Sequence, residues 1–304
     1  MRRIAMFILS AGLLSAWTPG QAEPFALSWG KVHGVPEAEI IEIDRIARAV
    51  AEIAPAFDAG PSFATESLGA LSHAMADGRV HLASETIFGA LTLEREVGAR
   101  ILMRENRHGL SRYRSVVIVQ ADSAIQTLQD LRGRKIAFED PGSTFAFFLP
   151  AAAIASAGLD LAPIRSIRSA PAGAGVSYAF VHQDQEQSIA LAVATGLAAA
   201  GGFGEKDWWR LEESQPRIAD RLRIMHETPY VTRAVLIAGP ALPAALDAPL
   251  IAAIEALEGL ESGRAVLRDL SGAETYDPIA GEAAEDLAAS RALYDAFAML
   301  IDPQ

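Results

Sequence analysis

Short apolar runs, each cut off by turn-forming residues, alternate along this chain with longer stretches whose apolar positions recur at helical spacing. Phe25–Trp29, Val80–Ala83, Ser115–Val119, Lys135–Phe138, Val176–Val181, Leu197–Gly202, Arg223–His226 and Thr232–Ala238 read as strands. The first of these runs into a Gly-rich loop, Gly30-Lys31-Val32-His33-Gly34. Ala38–Ala54 spaces Ile40, Ile43, Ile46, Ala47 and Val50 as a helix does, and Leu68–Ala76 repeats the pattern up to a turn at Asp77-Gly78. Further helices are predicted over Ser143–Ala157 and Gln187–Ala194, closed by Gly158 and Gly196, and over Pro243–Leu257, Ser262–Leu270 and Glu282–Leu300. Pro150 lies inside one of them, where it would remove the bond to the Ala146 carbonyl and kink the helix. Strands alternating with helices at this spacing predict an α/β fold with crossover connections.

The start of the chain breaks the pattern. Arg2-Arg3, an apolar core from Ile4 to about Trp17 and small residues at Gly20-Gln21-Ala22 read as an export signal over residues 1–22. That core is too short for a stable bilayer anchor, and no other apolar run is long enough. The mature chain is therefore expected to be soluble and periplasmic. With no Cys among 304 residues, disulfides, thiolate metal sites and cysteine nucleophiles are excluded. A net charge of −12, more negative still without the two signal arginines, disfavours nucleic acid and anionic membrane as partners. It leaves room for a small anion in a cleft, where local donors outweigh the global field. No Gly-x-Ser-x-Gly elbow, P-loop or metal-binding His spacing occurs. Neither an enzyme, a cofactor nor a metal is expected.

Chemistry concentrates between Tyr113 and Pro150. The strand at Ser115–Val119 leads to the polar turn Ala121-Asp122-Ser123, and a short amphipathic stretch then ends at Arg132-Gly133. The strand Lys135–Phe138 stops at Asp140-Pro141-Gly142, after which Ser143-Thr144 open a helix. The first N–H groups of a helix have no internal partner, so a turn that adds two hydroxyls to them is a ready anion site. The plainer alternative is an N-cap that satisfies one donor. This order of residues resembles the phosphate/phosphite/phosphonate-binding proteins of ABC importers. Their pattern there runs Tyr-x-Ser, Asp-Ser, Asp-Leu-x-Gly, then Asp-Pro-x-Ser-Thr-Ser-Gly ahead of a Pro. Phe145 and Ala146 stand where that pattern has Ser and Gly. A looser likeness runs from Tyr178 to Gly202, with Asp184-Gln185-Glu186-Gln187-Ser188 similar to one family run and Ala199 replacing an acid.

The resemblance implies a two-lobed type II periplasmic-binding-protein fold. Lobe one would take residues 23–117 and 230–304, lobe two residues 118–229, with crossovers near Val116–Ala121 and Glu227–Thr232. It implies a monomer that captures a small oxyanion and delivers it to an ABC permease, or alternatively reports it to a membrane histidine kinase. Ligand contacts are implied at Ser84, Thr86, Tyr113, Ser143 and Thr144. Ser115, Lys31 or His33, and the loop residues His182, Asp184 and Glu186 are further candidates. Phe145 would withhold a donor, face an apolar part of the ligand, or pack away from it. Ala199 would deprive an aminoalkyl phosphonate of a counter-charge. Bland alternatives stand beside these: a core ring for Tyr113, a solvated charge for Lys31, and helix-dipole partners for the acids. Trp208-Trp209 could line the cleft rim or pack in a core. A helix terminus contributes roughly 0.3–1 kcal/mol, up to about 2 when partly buried, whereas micromolar retention needs about 8 kcal/mol. Several charge-assisted bonds of roughly 1.5–3 kcal/mol must therefore converge from the facing lobe.

Overall fold

The structure is a computed structural model that describes residues 23–32, 36–181 and 185–297. Two six-stranded sheets form its frame. The first runs Ala273–Pro278, Arg100–Arg107, Ala234–Ala238, Leu82–Thr86, Trp29–Val32, Phe63–Thr65 across its width. The second runs Leu161–Pro163, Val176–Phe180, Lys135–Phe138, Ala200–Gly204, Ser115–Gln120, Leu222–Glu227. Both are mixed. A small pair, Phe25–Leu27 with Phe57–Ala59, lies beside the first sheet.

Each sheet is covered on both faces, as near-continuous apolar strands require. One face of the first sheet packs Ala83, Val235 and Ile237 against Leu71, Ile87, Phe88 and Leu287 of three helices, Leu68–Ala76, Ile87–Val97 and Glu282–Phe297. The other packs Leu82, Met103 and Leu236 against Pro36–Ile53, Asp247–Glu258 and Glu261–Ser271 through Ile43, Ile46, Ile254 and Leu267. In the second sheet, Val116 and Ile118 meet Ile189, Val193 and Trp208, while Val117 and Val119 meet Phe147 and Ile154. Alternate residues of Ser115–Gln120 thus serve two cores, the period-two logic of a strand.

The chain crosses between sheets twice, at Arg112–Tyr113 and at Val231–Thr232, and the two crossings pair as a short antiparallel ribbon. The first expected crossover, Val116–Ala121, lies instead within a central strand of the second sheet, and the expected boundary at 117/118 cuts that strand. An apolar run of this length reads as linker or strand alike until its partners are known.

Other departures have physical causes. Arg100–Arg107 was not expected as a strand because its apolar alternation is broken by charges. Those charges are satisfied internally: Arg104 reaches Asp277 at 2.9 Å and Asp286 at 3.3 Å, and Arg107 reaches Glu105 at 2.7 Å. Lys31 sits in the strand Trp29–Val32, not in a loop, and Ser84 and Thr86 belong to the strand Leu82–Thr86, not to its exit.

Pro150 falls where the helix changes form. Thr144–Phe148 form a π-turn, and Leu149–Ser156 follow as an α-helix with Pro150 in its first turn, where no N–H is needed. The Ala146 carbonyl accepts the Glu139 N–H at 3.3 Å. Gly202 makes room for the arrangement, since a β-carbon there would stand 2.8 Å from Pro150 Cγ and 3.0 Å from the Ala146 oxygen.

Candidate functional site

Asp140-Pro141-Gly142 is a tight turn held from within: Asp140 Oδ1 accepts the Gly142 N–H at 2.7 Å and its carbonyl accepts the Ser143 N–H at 3.2 Å. The turn delivers Ser143 as N-cap of the π-turn, its Oγ accepting the Ala146 N–H at 3.0 Å. Ser143 therefore caps, and keeps one hydroxyl hydrogen for another acceptor. Thr144 follows with only 1% of its surface exposed and an Oγ1 that has no hydrogen-bond partner. Tyr113, in the crossing ribbon, is 5% exposed, and its hydroxyl is likewise without a partner. Burial pushes its phenol up, and hydrogen bonding with the Thr144 hydroxyl beside it pulls the other way, a contact too loose to count as a well-formed bond for either group. Buried polar groups are nearly always well paired, and two hydroxyls that have only each other, and loosely, mark a place where something polar belongs.

Ser143 and Thr144 border a cavity of about 1290 Å³ between the lobes, and Tyr113 stands behind its wall. Lobe two supplies Glu139 to Phe145, and lobe one supplies Glu85, Thr86 and Gly89, with Ser67, Thr92 and Tyr294 farther out. Thr86 precedes the helix Ile87–Val97 without bonding its own N–H groups through the side chain, so its hydroxyl is available to the cavity. Phe145 lines the cavity with its ring edge on Tyr113, centroids 5.4 Å apart, and so adds an apolar wall where a serine would add a donor.

Other candidates are placed differently. The Ser84 hydroxyl accepts from Arg107 at 2.5 Å. Ser115 is fully buried and its hydroxyl donates to the Phe145 carbonyl, so it braces the turn. Lys31 acts through space, favouring the ionised form of Glu85. His182 and Asp184 lie outside the described residues, as does the side chain of Glu186. The strand before them, Val176–Phe180, runs parallel to Lys135–Phe138 and so ends at the same edge of the sheet as Glu139. Ala199 precedes a strand that is also parallel to Lys135–Phe138, which puts it at the opposite edge, beside a separate cavity of about 320 Å³. Its missing charge therefore has no bearing on the interlobe cleft. Trp208 packs in the core of lobe two, and Trp209 is exposed.

Two arginines escaped the sequence analysis. Arg107 donates to Glu105 and Ser84 and stands among buried groups. Arg233 immediately follows the second crossing, with its Cζ 5.6 Å from the Tyr113 ring centroid and its Nε without a partner. Burial lowers its pKa, and Arg107 adds to that push. A desolvated guanidinium beside the orphaned hydroxyls favours an anion there. Neither residue lies in a motif, and only the pairing of distant strands brings them to this point.

Fold and cleft together define a two-lobed binding protein. Residues 62–283 match the family described as "ABC transporter, phosphonate, periplasmic substrate-binding protein", and the chain belongs to that family. It is the periplasmic substrate-binding component of an ABC transporter, a carrier and not an enzyme. Among solved structures, XAC2383 from Xanthomonas citri bound to ATP superposes with a TM-score of 0.81 at 22% identity, over 91% of this chain and 99% of that one. PhnD1 from Prochlorococcus marinus, in complex with methylphosphonate, gives 0.61 at 14% identity, over 90% and 98%. A binding-protein component of an ABC phosphonate transporter from Pseudomonas aeruginosa gives 0.57 at 18%, over 92% and 97%. These likenesses fix the fold as the type II periplasmic-binding-protein fold. No curated protein matches the chain. Among the described residues no helix is long and apolar enough to cross a membrane; residues 1–22, read above as an export signal, lie outside them.

Proposed function

We propose that this protein captures a small oxyanion of the phosphonate, phosphite or phosphate type between its lobes and delivers it to its permease. The observation that carries this reading is the pair of buried hydroxyls of Tyr113 and Thr144, which meet only each other, and loosely, where the π-turn begins beside the crossing ribbon. An anion oxygen would accept from both, from the free N–H groups opening the turn, and from Thr86 across the cleft. Arg233 would supply charge from behind the Tyr113 ring. Three or four such bonds, at roughly 1.5–3 kcal/mol each, reach the 8 kcal/mol or so of a micromolar complex. Closure would turn the lobes about the paired crossings, because contacts from both lobes to one anion favour the closed state. The methylphosphonate complex of PhnD1 supports the ligand class. No observation favours the sensory alternative.

A larger ligand whose phosphoryl group takes the same seat is a second reading. The cavity exceeds the roughly 300–1,000 Å³ of ordinary small-molecule sites, and the Xanthomonas citri relative binds ATP. Thermal melting tests both. Methylphosphonate, phosphite or phosphate at a hundredfold excess over Kd is expected to stabilise the protein by about 2.7 kcal/mol. Thr144→Val should remove most of that gain while keeping the unliganded melting temperature. ATP acting where the small anions do not would favour the second reading, and silence from all of them would reject the site.

A further inference from the structure

Arg233 and Lys206 are cations without a carboxylate. The arginines around them are all occupied: Arg107 by Glu105 at 2.7 Å, Arg112 by Asp286 at 2.9 Å, Arg114 by Glu227 at 2.7 Å, and Arg210 by Asp207 at 3.0 Å. Among the described residues neither Arg233 nor Lys206 has an ion pair, and Arg233 Nε is buried with no hydrogen-bond partner. In a chain with 38 acidic residues against 26 lysines and arginines, counter-charges were not scarce. The two cations come from opposite lobes and meet at the crossing ribbon. The Arg233 N–H donates to the Ser111 carbonyl at 2.9 Å. The helix Glu205–Ser214, which carries Lys206 in its first turn, donates its Glu205 N–H to the Arg114 carbonyl at 3.2 Å. Ser111 and Arg114 flank Tyr113, so both cations are rooted beside that residue. Burial lowers the Lys206 pKa, and Arg233 and Arg210 push the same way against Asp207 and Glu274. Burial likewise lowers Arg233, with Arg107 and Arg210 adding to it against Tyr113 and Asp207. Like charges gathered without a counter-ion repel, and an anion placed between them removes the repulsion.

What lies between these cations and the proposed seat is aromatic. Arg233 Cζ is 5.6 Å from the centre of the Tyr113 ring, so the guanidinium stands one ring's breadth from the hydroxyl at the seat. Phe145 meets the same ring edge-on at 5.4 Å and reaches the start of the lysine's helix. Its Cδ2 lies 2.9 Å from the point a β-carbon on Gly204 would occupy, and the ring also lines the cavity. Hydroxyls, then rings, then cations is an order that suits a ligand charged at both ends. Glu85, Glu139 and Asp140 line the cavity itself, and their charge turns an anionic head away from its walls and toward the two cations. We propose that Arg233 and Lys206 form a second anion subsite, and that the cleft takes oxyanions carrying a second acidic head across a short apolar spacer. This inference rests on the proposed oxyanion seat and narrows the substrate class that the seat receives. It also gives Phe145 a task, since an apolar spacer needs an apolar wall where a lone oxyanion would need a donor.

Calorimetric titration of the full protein with two ligands tests it. Phosphonopropionate carries its acids at the two ends of the chain; propylphosphonate keeps the spacer and lacks the second acid. Phosphonopropionate is expected to bind about tenfold to a hundredfold more tightly, as one charge-assisted contact supplies. In Lys206→Met that advantage should shrink by about tenfold, while propylphosphonate binds as it does to the wild type. Equal or weaker binding of phosphonopropionate by the wild type would overturn the second subsite and leave the oxyanion reading standing. An advantage undiminished in Lys206→Met would overturn the assignment to this pair of cations. Binding of neither ligand would overturn both readings. The wild-type comparison needs no variant and decides the matter even if Lys206→Met folds poorly.

Discussion

Tyr113 and Thr144 hold hydroxyls that ordinary folding would have paired better than the loose approach they make to each other. A buried polar group left without a partner costs roughly 1–3 kcal/mol, so each hydroxyl makes the unliganded protein less stable than its apolar counterpart would. Their retention makes sense if a ligand completes them. Tyr113→Phe should therefore separate two properties that usually move together. It is expected to leave the unliganded melting temperature unchanged or higher, while weakening methylphosphonate binding by roughly tenfold to a hundredfold, the worth of one hydrogen bond to a charged acceptor. Melting and calorimetry on the same preparation check this. A loss of stability with unchanged affinity would make the hydroxyl structural. Ser115 shows how easily residue type misleads at this scale. It shares the family's Tyr-x-Ser pattern, yet its hydroxyl is engaged by the Phe145 carbonyl and supports the turn from below.

The elements that could be read from sequence are those whose periodicity is undisturbed. Leu68–Ala76 and Lys135–Phe138 appear with the predicted bounds, because each ends at an unambiguous turn. Arg100–Arg107 and Ala273–Pro278 were hidden, since their charged and polar residues are balanced by partners far away in sequence, as in the Arg104–Asp277 pair at 2.9 Å. The proposed seat at Ser143-Thr144 was visible as a motif, but its π-turn was not, because a proline in a helical pattern specifies a disruption without specifying its form. The form depends on Gly202 in a neighbouring strand. Gly202→Ala would press a β-carbon to 2.8 Å from Pro150 Cγ and 2.9 Å from Phe138 Cδ1. It is expected to cost about 1–3 kcal/mol in urea unfolding, the usual penalty of overpacking. No measurable cost would mean that the turn can relax, and that its geometry is less firmly set than its packing suggests.

At the scale of the molecule, the turn that carries the proposed seat also touches the other lobe. Phe148 lies against Phe88 with ring centroids 3.8 Å apart, and Tyr294 stacks 6.3 Å away. Arg114, just past the first crossing, holds Glu205 and Glu227, while Arg112 holds Glu282 and Asp286, and Tyr230 lies within cation–π reach of both arginines. The crossings are thus braced on either side, and the cleft opens beside an apolar pivot. The two-lobed plan was legible only through resemblance, since strand patterns alone do not say which strands share a sheet. Whether the molecule closes on an anion at this pivot is most directly settled by a crystal structure with methylphosphonate bound. The expected result has phosphonate oxygens within about 3 Å of Tyr113 OH and Thr144 Oγ1, with Thr86 approaching from the facing lobe. Methylphosphonate bound elsewhere, with those two hydroxyls still unpartnered, would contradict the account.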